Sequence, residues 1–394
     1  MELRDSIKLL TTVGEKMKKI IMSSKILSKL LIFFVKFVFS VFQVFVKVNP
    51  KKILFSSFSG RKYDDSPQIL YEELKRDKSF EDYSFVWVFK EKSKKLPSEI
   101  QVKSNTFKYF VALLTSKYWI SNSSIEELIP INSKKHVYIN TWHGVPIKFL
   151  GNDQKKDSYL ARNWYTSVNF NLLLSSGDYD SNLFRKIFPK TQNIKVTGLP
   201  RNLELYENSS KKNEIKKRTI TKLKLDPLKK TILYAPTFRA DNLSDRAKMD
   251  LKFDKESFKK ITSEYNFLVR PHYFIEKITP DKGFKDVRDF KLNDLLITSD
   301  LLITDYSSIM FDYMILNKPI ISYAYDLTDY RNNNGTYIDP IDIGIPIIQS
   351  SKKLPEIIEK EFKRNTVRSK ELNKIYNVQK NISVDYVKKF IITT

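Results

Sequence analysis

From Ile53 onward short apolar strands alternate with segments of helical length, and that alternation leaves few architectures open. ILFSSFSG, YSFVWVFK, YWISNSS, VYINTWHG, NLLLSSG and IKVTG are β-branched or aromatic runs ending in Ser, Asn or Gly, with helix-length stretches between most of them. Strands that recur with helices between them predict a parallel sheet covered on both faces, the α/β class. The pattern pauses at ENSSKKNEIKKRTITKLKLDPLKK (207–230), which reads as a basic linker with one exposed helix. It resumes with TILYAPTFR, NFLVRPHY, LLITDYSS and PIISYAYD. Two such halves predict two Rossmann-like domains facing each other across a cleft, with ligands at the carboxyl ends of the strands. The expected boundaries are a leader at 1–50, a first domain at 51–206, the linker at 207–230, a second domain at 231–375 and a helical tail at 376–394.

The densest signal is the stretch from Asn293 to Arg331. LLIT (301–304) is too short for a helix and stops at Asp305-Tyr306-Ser307-Ser308, where Ser and Asp suit a helix N-cap. Ile309, Met310, Tyr313, Met314 and Leu316 to Lys318 then keep a helical apolar spacing, and Pro319 ends that helix before the strand IISYAY. The first turn of such a helix has unpaired N–H groups and a positive dipole end, so the hydroxyls of Ser307 and Ser308 can cradle a phosphate there. The competing reading is that both serines are plain caps.

Charge narrows the partners. The 69 Lys and Arg against 45 Asp and Glu give a net +24, which points to an anionic partner such as nucleic acid, phospholipid headgroups or a phosphorylated substrate. No nucleic-acid motif, GxGxxG or P-loop occurs, and no nucleic-acid partner is expected. With no Cys, disulfides, thiolate zinc sites and cysteine nucleophiles are excluded. Asp294, Asp300 and Asp305 are not spaced as a metal cluster, so no dedicated metal site and no cofactor are expected; a requirement for soluble Mg2+ stays open.

Ahead of the first strand lies a basic, apolar leader from Lys16 to Val48. Lys25, Lys29, Lys36, Ser40, Gln43 and Lys47 follow one another at intervals of four, seven, four, three and four residues, so they share one helical face. Phe, Val, Leu and Ile cover the rest. A central Lys36 disfavours a transmembrane span, and the pattern favours a helix lying in the membrane interface with its lysines towards anionic headgroups, although a tilted span could also snorkel its lysines. No small-residue cleavage site follows.

The candidates for chemistry fall at strand ends. His143, in Thr141-Trp142-His143-Gly144, puts an imidazole beside a Gly that allows close approach, and such a His is the usual general base at neutral pH. His272 follows VRP, and Arg239 and Arg270 offer guanidinium groups that match phosphate geometry. His136, before a strand in a Lys-rich turn, is given no role.

TWHGVPIKFLG, GLPRN, LYAPTFR, RPH and above all DLLITSDLLITDYSSIMFDYMILNKPIISYAYDLTDYR resemble the CDP-glycerol glycerophosphotransferase family, which includes teichoic acid primases and polymerases and related capsule enzymes. The resemblance runs from about Ile53 to Tyr337. It implies a GT-B-like fold with an acceptor-side first domain and a CDP-donor second domain, and a peripheral enzyme on the cytoplasmic face of the membrane. Such an enzyme moves glycerol phosphate from CDP-glycerol to a lipid-linked saccharide acceptor and releases CMP. By the same resemblance His143 is the base that deprotonates the acceptor hydroxyl, His272, Ser307 and Ser308 hold the donor pyrophosphate, and Asp305 shapes that turn.

One departure stands out. The family commonly reads Arg-Gly-Phe-Tyr shortly after the YAYD segment, with the Arg on the donor phosphates, whereas this chain reads Asn334-Gly335-Thr336-Tyr337. Arg331 is then the expected substitute, or the donor is another CDP-polyol such as CDP-ribitol. The other classes weighed are a GT-B glycosyltransferase using a nucleotide sugar and a basic membrane-surface scaffold. Nothing in the sequence specifies acceptor glycan or oligomeric state; the lack of room for a large extra domain tilts towards single or short additions.

Overall fold

The computed structural model describes residues 24–154, 158–237, 248–271, 275, 277–279, 282–364 and 370–394. The first half carries β1 (Asn49–Ser56), β2 (Ser84–Phe89), β3 (Gln101–Lys103), β4 (Ser116–Ser121), β5 (Val137–Asn140), β6 (Leu172–Ser175) and β7 (Ile194–Val196). They form one sheet in the order β3-β2-β1-β4-β5-β6-β7, parallel at every pairing. The second half carries β8 (Thr231–Tyr234), β9 (Lys248–Asp250), β10 (Asn266–Val269), β11 (Lys277–Thr279), β12 (Lys285–Asp286), β13 (Leu301–Thr304), β14 (Ile320–Tyr323) and β15 (Ile347–Ile348). Its sheet, also parallel, runs β12-β10-β8-β13-β14-β15, and β9 pairs with β11 apart from it.

Alternation along each strand builds a core on both faces of each sheet. Ile53 and Phe55 of β1 join one cluster with Leu70, Leu74 and Trp87, while Leu54 between them joins another with Trp119, Tyr138 and Phe170. In β13, Leu301 and Ile303 face Phe267 and Tyr323, and Leu302 faces Leu268, Met310 and Tyr313.

Three segments differ from expectation in ways that matter. The helix after Ser308 stops at Met314; Ile315, Leu316 and Asn317 close into tight turns on Asp312, Tyr313 and Met314, and Asn317 takes a left-handed φ of 53°. Within residues 207–230, the helix Ser209–Leu223 buries Ile215, Thr219 and Leu223 against the second half's core. Near the carboxyl end, the helix Ser383–Thr393 returns to the first sheet, placing Val384, Val387 and Ile391 beside Leu70 and Leu74, and Tyr118 donates a 2.8 Å hydrogen bond to the Ile391 carbonyl.

The leader forms the helix Lys25–Phe45, capped by the Ser24 hydroxyl, which accepts from the Leu27 N–H. It is long and apolar enough to cross a membrane by length and composition. Its docked side is narrow: Ser28, Ile32 and Phe39 are buried, and the Phe39 ring sits 5.9 Å from His136 and 6.2 Å from Trp119. The polar stripe borders this docked side. Lys25, Lys29 and Lys47 are exposed, Lys36 is half-buried, and Gln43 donates to the Ser133 hydroxyl at 2.6 Å. The outward face is apolar, with Phe33 71% and Phe45 81% exposed. The structure adds which side of the helix docks, which the periodicity left open. The hydrophobic half points away from the protein, and the lysines lie beside the seat of the helix.

His136 anchors that seat. Its ring stacks on Trp119 at 4.7 Å, and its Nδ1 donates to the Ser116 carbonyl at 2.7 Å. Burial pushes its pKa down to about 4 from an ordinary 6.5. An imidazole that resists protonation only when folded stabilises the fold above pH 6.5, and that contribution is lost as pH falls towards 4. The unfolding free energy is expected to drop by about 3 kcal/mol across this window from His136 alone. Urea denaturation at several pH values should show a shallower decline in His136→Gln than in wild type.

Candidate active site

In each sheet the strand order reverses at one point, between β1 and β4 in the first and between β8 and β13 in the second. Chains diverge there and leave space beyond the carboxyl ends of the strands, where open α/β sheets place their ligands. Apart from Arg331 and the leader lysines, the sequence-predicted residues within the described structure follow strands at or next to these two points.

On the first sheet, the turn after β5 presents His143. Trp142 with φ 52° and Gly144 with φ 124° bend the backbone sharply, and Trp142 stacks on the imidazole at 4.4 Å. His143 Nδ1 lies 2.7 Å from the carbonyl of Asn122, at the end of β4. A carbonyl can only accept, so Nδ1 carries the proton and Nε2 keeps a bare lone pair. Burial lowers the pKa of this ring, partly opposed by the Asn122 carbonyl, which keeps it neutral at physiological pH.

On the second sheet, Asp305 is turned inward. Its carboxylate accepts from the Thr237 N–H at 2.8 and 3.0 Å, from the Thr237 hydroxyl at 2.6 Å and from the Tyr306 N–H at 2.7 Å. It thereby sews the turn after β8 to the turn after β13. Ser307 and Ser308 follow at the start of the helix Ile309–Met314. Arg270, at the end of β10, donates to the Phe290 carbonyl at 2.6 Å and to that of Val287 at 3.3 Å. Its charge is felt by half-buried Lys62 in the loop after β1, which also senses Asp64. Arg239 and His272 lie outside the described residues.

The two turns meet. A methyl group built on Gly144 would stand 2.8 Å from the Ser308 hydroxyl oxygen and 3.1 Å from its Cβ, so glycine is required for this approach. Beside it the 334–337 segment crosses onto the chain after His143: Lys148 bridges Thr336 in antiparallel fashion, and Tyr337 N–H donates to the Ile147 carbonyl at 2.7 Å. Gly335 packs flat under Phe149, with no room for a side chain. Arg331 does not join this group; it is ion-paired with Asp339 and 45% exposed. Lys148 stands over the Tyr330 ring at 5.4 Å.

What the sequence reading missed is the residue that clamps the turns together. Arg201, in GLPRN, reaches both Asp65 of the first half and Asp312 of the second, and also donates to the His143 carbonyl at 2.7 Å. Asn202 adds a 2.8 Å bond to Asp312, and Asn293 donates to the Arg201 carbonyl at 2.7 Å. Burial opposes the guanidinium charge, but Asp312 and Asp65 more than offset it and hold Arg201 firmly protonated. A signal was present: Asp312 lies in the wholly buried helix IMFDYM, where a carboxylate needs a cation. Among the described residues, no group of three or more His, Asp or Glu is placed to hold a metal.

A fold of two parallel sheets of this kind, with a neutral imidazole and a hydroxyl-bearing turn opposed beyond their strand ends, belongs to the GT-B-like transferases. Known proteins resolve the class further. The profile of the CDP-Glycerol:Poly(glycerophosphate) glycerophosphotransferase family matches residues 38–390, and the chain belongs to that family. It is 31% identical to a teichoic acid poly(glycerol phosphate) polymerase of Bacillus spizizenii, over 86% of this chain and 91% of that protein. A Staphylococcus epidermidis protein of the same description is 35% identical over 74% of this chain, which spans only 43% of that longer polymerase. Among solved structures, a variant of the wall teichoic acid polymerase TagF soaked with CDPG superposes with a TM-score of 0.78 at 28% identity, covering 91% of this chain and 92% of that one.

Removing Arg201 leaves two buried carboxylates without a counter-charge. Arg201→Met is expected to cost about 3–5 kcal/mol of stability, read by chemical denaturation. Adding Asp312→Asn, which keeps an acceptor for Asn202 but removes one charge, should recover part of that loss.

Proposed function

We propose that the protein transfers glycerol phosphate from CDP-glycerol to a hydroxyl of a lipid-linked acceptor in teichoic acid or related polymer synthesis, working at the cytoplasmic face of the membrane. The observation that carries this reading is the opposition of His143, with its bare Nε2, to the Ser307-Ser308 turn across the Gly144–Ser308 contact. Family membership supplies the donor class.

In the mechanism, Nε2 of His143 takes the proton from the acceptor hydroxyl as that oxygen attacks the phosphorus bearing glycerol. The new P–O bond forms as the bond from that phosphorus to the CMP oxygen breaks, so CMP leaves with the electron pair. Little covalent chemistry falls to the protein, whose part is alignment and charge stabilisation. Ser307 and Ser308 offer hydroxyls to the donor phosphates, Arg270 and Lys62 supply positive charge nearby, and His272 and Arg239 are further donor-side groups by family resemblance. Asp305 acts by holding the Thr237 and Ser307 turns in register. The outward apolar face of the helix Lys25–Phe45 supports attachment to the membrane that carries the acceptor, with Lys25, Lys29, Lys36 and Lys47 near the headgroups.

CMP release from CDP-glycerol and CDP-ribitol, each with a lipid-linked acceptor, tests this directly. Release should require acceptor and fall by about 10²–10⁴-fold in His143→Ala. Asn334 makes the comparison informative, since the donor consumed faster identifies the polyol. Acceptor-independent release, or an unimpaired mutant, would overturn the assignment. The base must be neutral to act, and burial lowers its pKa, so the acidic limb of the rate profile should have its midpoint below 6.5. A limb centred above that value would point to a different base.

A further inference from the structure

At the opposite end of the first sheet from His143, the starts of β1 and β4 form the floor of a basic pocket of about 590 Å³. Lys47, Lys51, Lys117 and Lys135 line it together with Tyr83 and Tyr118. We propose that this pocket binds the phosphate-bearing headgroup of an anionic phospholipid, an inference that rests on the membrane attachment proposed above.

Two of the four lysines are already committed. Lys51 is paired with Asp82, and Lys135 donates to the carbonyl of Gln43 in the last turn of the leader helix at 2.6 Å. That second bond fixes the helix end to the pocket wall. Lys47 is exposed and Lys117 half-exposed, and neither makes an ion pair with a carboxylate side chain among the described residues. The Tyr118 hydroxyl is already spent on the Ile391 carbonyl, which leaves two ammonium groups without a carboxylate partner beside the Tyr83 phenol, a set that matches a phosphate diester with a polar head.

A lipid rather than a soluble anion is favoured by what adjoins the pocket. The outward face of the helix, with Phe33, Phe37 and Phe45 between 58% and 81% exposed, runs directly into the rim at Val46. On the other side the rim includes Ile392, 57% exposed. A helix seated in the interface by that face would hold its end at headgroup depth, so an adjoining lipid could keep its acyl chains beside the phenylalanines and its phosphate between Lys47 and Lys117.

The test uses the full chain and co-sedimentation with phosphatidylcholine vesicles, plain or containing phosphatidylglycerol. Lys47→Gln/Lys117→Gln should weaken the phosphatidylglycerol-dependent binding by about tenfold or more, while Lys259→Gln/Lys260→Gln, an equal charge loss on the exposed face of the helix Lys255–Glu264, should leave it unchanged. Equal loss in both pairs would mean a diffuse field and overturn the pocket, as would no loss in either. Absence of vesicle binding by wild type would overturn the membrane reading itself. A second measurement separates sources of phosphate. Monomeric short-chain phosphatidylglycerol should protect Lys47 and Lys117 from amine acetylation read by mass spectrometry, and inorganic phosphate or short-chain phosphatidylcholine should not. Equal protection by inorganic phosphate would replace the lipid by a soluble anion, and no protection by any probe would remove the site.

Discussion

A single guanidinium holds the two halves in the arrangement that makes a site. Arg201 stands between Asp65, at the start of a helix on the first sheet, and Asp312, in the helix that follows the Ser307-Ser308 turn. Taking three charges out of water is unfavourable, and their mutual attraction repays it only when geometry and the remaining hydrogen bonds are satisfied. Here they are: the His143 carbonyl accepts from the guanidinium, the Ser66 N–H donates to Asp65, and the Asn202 amide donates to Asp312. Such a cluster tolerates little displacement, so the gap between imidazole and serine turn is set by an ion pair outside the reacting groups.

The same logic of committed polar groups explains the division of labour within the site. Asp305 looks like a catalytic carboxylate by position, yet its oxygens are occupied by Thr237 and the Tyr306 N–H. His143 is held by only one ring nitrogen, which leaves the other for chemistry. Asp305 follows β13 at the reversal of the second sheet, and His143 follows β5, next to β4 at the reversal of the first.

Much of this was legible in the sequence because short β-branched runs that stop at polar turns have few other uses. The longer strands and the placement of His143, Ser307 and Ser308 at their ends could be read directly. Strands such as β12, Lys285–Asp286, could not, since two exposed residues at a sheet edge have no hydrophobic pattern. The partner of His143 was hidden because it is a backbone carbonyl of Asn122, and any residue supplies one. Periodicity placed the leader lysines on one face but could not say which side would dock; small Ser28 and the single wedge of Phe39 decide that. Asn317 shortened the helix after Ser308 through a left-handed turn that apolar spacing does not register. His136, read as a turn residue, is a core contact, held between Trp119 of β4 and Phe39 of the leader helix.

The return of the helix Ser383–Thr393 to the first sheet bears on how the chain reaches its final form. Tyr118 bonds to a carbonyl 273 residues further along, and Val387 and Ile391 complete a core that also contains Ile53 and Phe55. A ribosome that has released the first half has therefore not released everything that half needs. Its sheet lacks part of the cover on one apolar face until the last residues have been made. Contacts this distant are slow to form and leave hydrophobic surface open meanwhile. The last helix is thus a late clasp, available to the first half only after the second half has been made.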